Sequence, residues 1–126
     1  MDEFWRGLEE FNNRQFYNCH DTLEAIWIES QPPTKLFYQG LIQIAVGLYH
    51  LENRNWQGAV TLLRSGIDRL EYFCPRYFGV ELTPLLDQSD KLLDQLYDLG
   101  PEMIDQVDLS GLPTISYQRF AEGTAP

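Results

Sequence analysis

Two stretches carry the side chains that could do chemistry: Tyr17-Asn18-Cys19-His20-Asp21-Thr22-Leu23-Glu24-Ala25-Ile26-Trp27 and Gln39-Gly40-Leu41-Ile42-Gln43-Ile44-Ala45-Val46-Gly47-Leu48-Tyr49-His50. At 100° per residue, Tyr17, His20, Glu24 and Trp27 share one stripe of the first as a helix, and Gln39, Gln43 and His50 share one stripe of the second. An imidazole and a carboxylate at i, i+4 on one helical face suit zinc, iron or manganese, which makes His20 and Glu24 the candidate metal ligands. Three protein ligands are the usual minimum, however. Asp21 points ~100° away around the helix, and glutamines coordinate weakly. Neither the Glu-x-x-His signature of di-iron bundles nor His-Glu-x-x-His is present, so no metal and no other cofactor is expected.

The same residues could instead form a small-molecule pocket. Tyr17, His20, Glu24, Gln39 and Gln43 would supply hydrogen bonds, Trp27, Phe37 and Tyr38 apolar walls, and the Glu–His pair a general base. A third reading needs no ligand: the His20 ring, the Glu24 carboxylate and the glutamine amides complete one another's hydrogen bonds where two helices cross. The sequence favours this network, and with it a binding or interaction module over an enzyme. Nucleophilic catalysis is disfavoured further, because Cys19 and His20 are adjacent in the chain and diverge on a helix, and no Gly-rich loop offers an oxyanion site.

Composition narrows the function classes. The 126 residues suffice for one domain with a core, and the apolar share of 44% is that of a globular chain. Nineteen acidic against nine basic residues give a net charge of −10, which repels phosphate backbones and anionic lipid surfaces. The basic residues are scattered, so no nucleic-acid or membrane partner is expected, and an unknown protein partner or self-association remains. Cys19 and Cys74 form no C-x-x-C pair and read as buried small hydrophobes. No basic n-region with an apolar h-region follows Met1, and the most apolar segment, 36–51, is short of the ~20 residues a membrane span needs. A cytoplasmic location is expected.

These side chains require helices to position them. Phe4, Trp5, Leu8 and Phe11 predict a first helix from Asp2, its cap, to about Asn12-Asn13. A second runs from about Gln15 to Glu29, with Phe16, Cys19, Leu23, Ile26 and Trp27 inward and Thr22, Ala25 and Glu29 outward, until Gln31-Pro32-Pro33 stops it. Thr34 caps a third, apolar on nearly every side, that reaches Asn53. Its Gly40, Ala45 and Gly47 predict a close helix crossing, since glycine otherwise costs about 1 kcal/mol in a helix interior. A fourth spans Trp56 to Phe73, with Gly58, Ser65 and Gly66 as small contact points. A fifth starts at Thr83-Pro84, keeps Leu85, Leu86, Ser89, Leu92, Leu93 and Leu96 on one face and stops at Gly100-Pro101.

The expected fold is therefore all-α, a compact bundle of about five helices. Residues 2–29 and 34–73 form two stacked antiparallel hairpins with tetratricopeptide-like packing, and the fifth helix closes the bundle. Strands are not expected. Residues 1–100 read as the domain and 101–126 as an extension packed on it, frayed from about Ala121. Phe4 and Trp5, only partly covered by so small a core, offer a surface for self-association. The Pro-Pro turn pairs residue i of the second helix with about residue 64 − i of the third. Glu24 then faces Gly40 with Gln39 or Gln43, and His50 lies ~9 Å along the axis from His20, detached from any site there.

The combined pattern Phe16-Tyr17-x-Cys19-His20-Asp21-x-Leu23-Glu24-x-x-Trp27, Tyr38-Gln39-Gly40-Leu41-Ile42-Gln43-x-Ala45, Tyr49-His50 and Asn55-x-x-Gly58-Ala59 resembles the domain of unknown function family numbered three hundred and nine, over about residues 4–99. The resemblance implies a compact all-α domain with no established activity. It also implies that His20, Asp21, Glu24, Trp27, Gln39, Gln43 and His50 are the family's hallmark positions.

Overall fold

The computed structural model describes residues 2–120, and the expected fraying from Ala121 onward falls outside them. Five helices follow in order: α1 (Asp2–Asn12), α2 (Phe16–Ile28), α3 (Thr34–Glu52), α4 (Trp56–Leu70) and α5 (Leu82–Leu99). Each expected helix is present, and the fold is an all-α bundle. Each helix packs on the next, and the contact between α3 and α4 is the most extensive. Short connections enforce that order, because a helix joined by a few residues has only its neighbour to cover its apolar stripe.

The glycines of α3 and α4 explain how close this contact is. A Cβ on Gly40 would lie 2.6 Å from Leu70 Cγ, one on Gly47 3.0 Å from Leu63 Cγ, and one on Gly66 2.8 Å from Ile44 Cδ1 and 3.0 Å from the Gly40 carbonyl oxygen. Gly7 makes the corresponding space between α1 and α2, where a Cβ would meet Leu23 at 2.7 Å. Thr22, expected to face outward, is buried beneath α1 for this reason.

Two caps differ from expectation. Thr34 is the first residue of α3 rather than its cap, and its hydroxyl pairs with the Tyr77 hydroxyl at 2.8 Å. Likewise α5 begins at Leu82, directly after a strand, and the Leu82 N–H donates to the Pro75 carbonyl at 2.9 Å, so the hairpin replaces the Thr83 cap. Strands do occur: β1 (Arg76–Tyr77), β2 (Val80–Glu81) and β3 (Ser116–Tyr117) form an antiparallel sheet in that order. Two residues are too few to show alternation, which is why the sequence pattern hid them. Phe78 and Gly79 make the β1–β2 turn, both with positive φ (54° and 80°), the geometry a two-residue hairpin demands. Phe78 is held there by edge contacts with Phe4 and Phe120.

After α5 the chain returns across the bundle. Ile104, Val107, Leu112 and Ile115 are buried. The Asn12 side chain acts as a strand would, donating to the Ile115 carbonyl at 2.9 Å and accepting from its N–H at 2.7 Å. Trp5 stacks on Tyr117 and meets Phe120 edge-on. Phe4, packed on Phe37, Tyr38 and Phe78, and Trp5 are 1% and 4% exposed, so α3, the hairpin and the returning segment together cover the surface expected to drive self-association through the first helix. Of the cysteines, Cys19 is buried as expected, but Cys74 is exposed on the connector after α4.

The crossing is checked by Gly40→Ala. In an open helix this change stabilises; here overpacking against Leu70 should lower stability by about 1–3 kcal/mol in urea or thermal melts, whereas Gly111→Ala, with nothing within 4 Å, should be neutral. Burial also sets an alkaline limit. It pushes the Cys19 thiol from 9.0 up to about 12, helped by the Glu10 carboxylate, and the Tyr38 hydroxyl from 10.0 up to about 12, helped by Tyr77. Both groups fold neutral, so their contribution is complete below pH 9 and is lost as pH rises towards 12. Melting temperature should be level with respect to these groups up to about pH 9 and then fall, with a shallower fall in Cys19→Ala.

Candidate functional site

His20 sits on α2 one turn before Glu24, and its Nε2 lies 3.0 Å from Glu24 Oε2. The carboxylate can only accept, so Nε2 carries the proton. Asp21 Oδ1 is 3.2 Å from Nδ1 but out of line for a hydrogen bond, and this buried Nδ1 atom has no hydrogen-bond partner among the described residues. The side chains of Asp21 and Glu24 are 62% and 48% exposed. The pair is therefore intrahelical and half in water, worth at most about 0.5 kcal/mol.

The glutamines are elsewhere. Gln43 Oε1 accepts from Arg69 Nε of α4 at 3.2 Å, and Gly40 faces Leu70 of α4. The expected alignment of Glu24 with Gly40 and Gln43 does not form, because the glycine crossing turns that side of α3 towards α4. Gln39 is half-buried, and no hydrogen bond joins it to Glu24 among the described residues. Trp27 is half-buried, with Lys35 Nζ 4.6 Å from its ring centroid.

His50, expected to be detached, returns to the site. A cavity of about 110 Å³ between α2 and α3 is lined by Phe16, Tyr17 and His20 from one helix and Val46, Tyr49 and His50 from the other. The register estimate carried an error of one helical turn, ~5 Å, and the long side chains of Tyr17 and Tyr49 close the rest, their rings 5.3 Å apart at 51°. Tyr17 also lies 5.6 Å from the His20 ring. Phe16, Val46 and Tyr49 were missing from the expected set. Tyr49, next to His50 on a helix otherwise apolar, was the available signal.

His50 also ties the cavity to α4. Asn55 caps that helix by accepting from the Gly58 N–H at 3.0 Å, which fixes its amide orientation. Its Nδ2 then donates to His50 Nδ1 at 3.2 Å, which places the His50 proton on Nε2. A Cβ on Gly58 would fall 2.8 Å from the His50 ring, so the position admits glycine alone without displacing the histidine.

Among the described residues, no group of three His, Cys, Asp or Glu side chains converges where a metal ion would sit, and no helix is long and apolar enough to cross a membrane. A larger open groove of about 580 Å³ lies between the start of α3 and the end of α4, lined by Pro33, Leu36, Ser65, Asp68, Arg69, Tyr72 and Phe73.

Residues 4–62, which include every residue of the α2–α3 cavity, match the family described as domain of unknown function DUF309. The chain is 33% identical over 93 residues to the uncharacterized protein YpuF of Bacillus subtilis (strain 168); the match covers 71% of this chain and 53% of YpuF. The chain thus spans about half the length of the curated relative it matches.

The modest worth of the His20–Glu24 pair is measurable. Glu24→Gln should change unfolding free energy by less than about 0.5 kcal/mol, whereas Asn55→Ala, which removes both the α4 cap and the His50 hydrogen bond, should cost about 1–2 kcal/mol in the same denaturant titration.

Proposed function

We propose that this member of the DUF309 family is a non-enzymatic helical module that binds a partner polypeptide across the outer face of α2 and the α2–α3 cavity. The observation that carries the reading is that α2 keeps one exposed face of mixed apolar and acidic side chains. Tyr17 and Ile28 are 52% and 62% exposed, and Asp21 and Glu24 lie between them at helical spacing, so the four make one stripe about 16 Å long. The exposed tyrosine is of the type that anchors binding surfaces, and the carboxylates beside it can set the sign of charge of what binds.

The charge of that surface supports a partner of one sign. No lysine or arginine occurs in α2, and the chain as a whole carries −10. Electrostatic complementarity then favours a basic segment, steered to the face by the net charge and held in register by Asp21 and Glu24.

Probing an array of basic and acidic peptides at low salt tests this. Wild-type protein should be retained on basic segments in a salt-sensitive way, and the Asp21→Lys/Glu24→Lys variant should lose that retention while melting normally. Equal retention on acidic segments, or retention unchanged in the variant, would refute the proposal.

A further inference from the structure

We propose that the groove between the start of α3 and the end of α4 binds a small monocarboxylic acid with an apolar body, its carboxylate held by Arg69. No residue of α2 lines the groove, so this site stands or falls apart from the α2 face. Its volume of about 580 Å³ lies within the span of about 300–1,000 Å³ usual for small-molecule sites. The glycine crossing sets its position. A Cβ on Gly40 would lie 3.6 Å from Arg69 Cβ, so the crossing presses the stem of Arg69 against α3 and brings its head within reach of Gln43.

Arg69 is what calls for an anion. It is half-buried in the groove wall, and covering a cation is costly unless a counter-charge meets it. Carboxylates are plentiful in this chain, nineteen against nine basic residues, and Arg54, Arg64, Arg76 and Arg119 each meet one. Among the described residues none pairs with Arg69: Asp68, the residue before it, meets Arg64 at 3.8 Å instead. Arg69 has only a neutral partner, Gln43 Oε1, which accepts from Nε at 3.2 Å. That bond fixes the guanidinium plane and leaves the terminal edge, Nη1 and Nη2, without a hydrogen-bond partner among the described residues. Two parallel N–H groups on a held fork match the two oxygens of a carboxylate.

The rest of the lining sets the body of the ligand and its charge. Pro33 and Leu36 supply apolar surface from one helix, and Tyr72 and Phe73 aromatic surface from the end of the other. Tyr72 is 90% exposed, so covering its ring with an apolar group removes from water surface that the fold leaves in it. One guanidinium, with the Asp68 carboxylate also in the lining and −10 on the whole chain, balances a single negative charge. A phosphate or a dicarboxylate would bring more charge than the groove can offset.

Titration of ¹⁵N-labelled protein with 3-phenylpropionate, 3-phenylpropionamide and propionate tests the site. 3-Phenylpropionate should give saturable shifts centred on Leu36, Arg69 and Tyr72, half-complete at on the order of 1 mM. The amide keeps the shape without the charge, and propionate keeps the charge without the apolar body; each should bind at least about tenfold more weakly. Arg69→Gln should reduce the acid to the level of the amide. Tyr72→Ala, exposed enough to leave the fold intact, should weaken acid and amide alike, and so tests the groove even if Arg69→Gln is poorly folded. No saturable shift with 3-phenylpropionate, an amide that binds as tightly as the acid, or curves unchanged in Arg69→Gln or in Tyr72→Ala would overturn the site. The Asp21→Lys/Glu24→Lys variant should titrate as wild type does, whatever it retains on peptide arrays; loss of the shifts there would place the binding on α2 and overturn the groove.

Discussion

The contact on which the rest of the molecule depends is the crossing of α3 on α4, where Gly40, Gly47 and Gly66 let Leu70, Leu63 and Ile44 reach a neighbouring backbone. Close approach gains dispersion contacts along both helices and removes the freedom to rotate. With that side of α3 committed to α4, Gln43 is carried to Arg69, and the opposite side, with Val46, Tyr49 and His50, is left for α2. The candidate site is therefore a consequence of where small residues fall on α3.

The returning C-terminal segment plays the complementary part. Asn12 pairs with Ile115 through both backbone groups, Trp56 donates to the Leu96 carbonyl at 2.7 Å, and Arg54 meets Asp105 at 3.0 Å. The first of these contacts, with the stacking of Trp5 on Tyr117, covers α1, while the other two tie α4 to α5 and the loop before α4 to the segment that follows α5. The amphipathic character of α1 is thus used up within the fold, whereas α2, clasped between α1 and α3, keeps an outward face. That division puts the accessible aromatic and acidic groups on α2.

The polar residues of the site have unequal roles. His50 is fastened to the α4 cap through Asn55 and pressed against Gly58, which makes it part of the scaffold. Among the described residues, the charged groups beside His20 are the exposed carboxylates of Glu24 and Asp21 on its own helix. Cys19, one residue earlier, is the inward member of the same turn and is neutral at any ordinary pH, its thiol raised to about 12. One helical turn thus presents a packed face and a half-exposed polar one.

The sequence by itself determined the five helices, their order, the inward face of α5 and the presence of a close crossing at α3, because apolar periodicity, proline stops and glycines in a helix are local signals. It also singled out His20 and Glu24 as neighbours, since i, i+4 spacing is a property of one helix. Tertiary structure decided the rest: which helix crosses the glycines, that Gln43 turns to Arg69, that His50 joins His20 at one cavity, and that Trp5 is covered by a segment more than a hundred residues away. Each of these depends on rotation of one helix against another, to which a ~5 Å uncertainty in register is fatal. The three short strands escaped for a related reason: at two residues each they are defined by their partners rather than by alternation, and the partner of β3 lies on the far side of α5 in the chain.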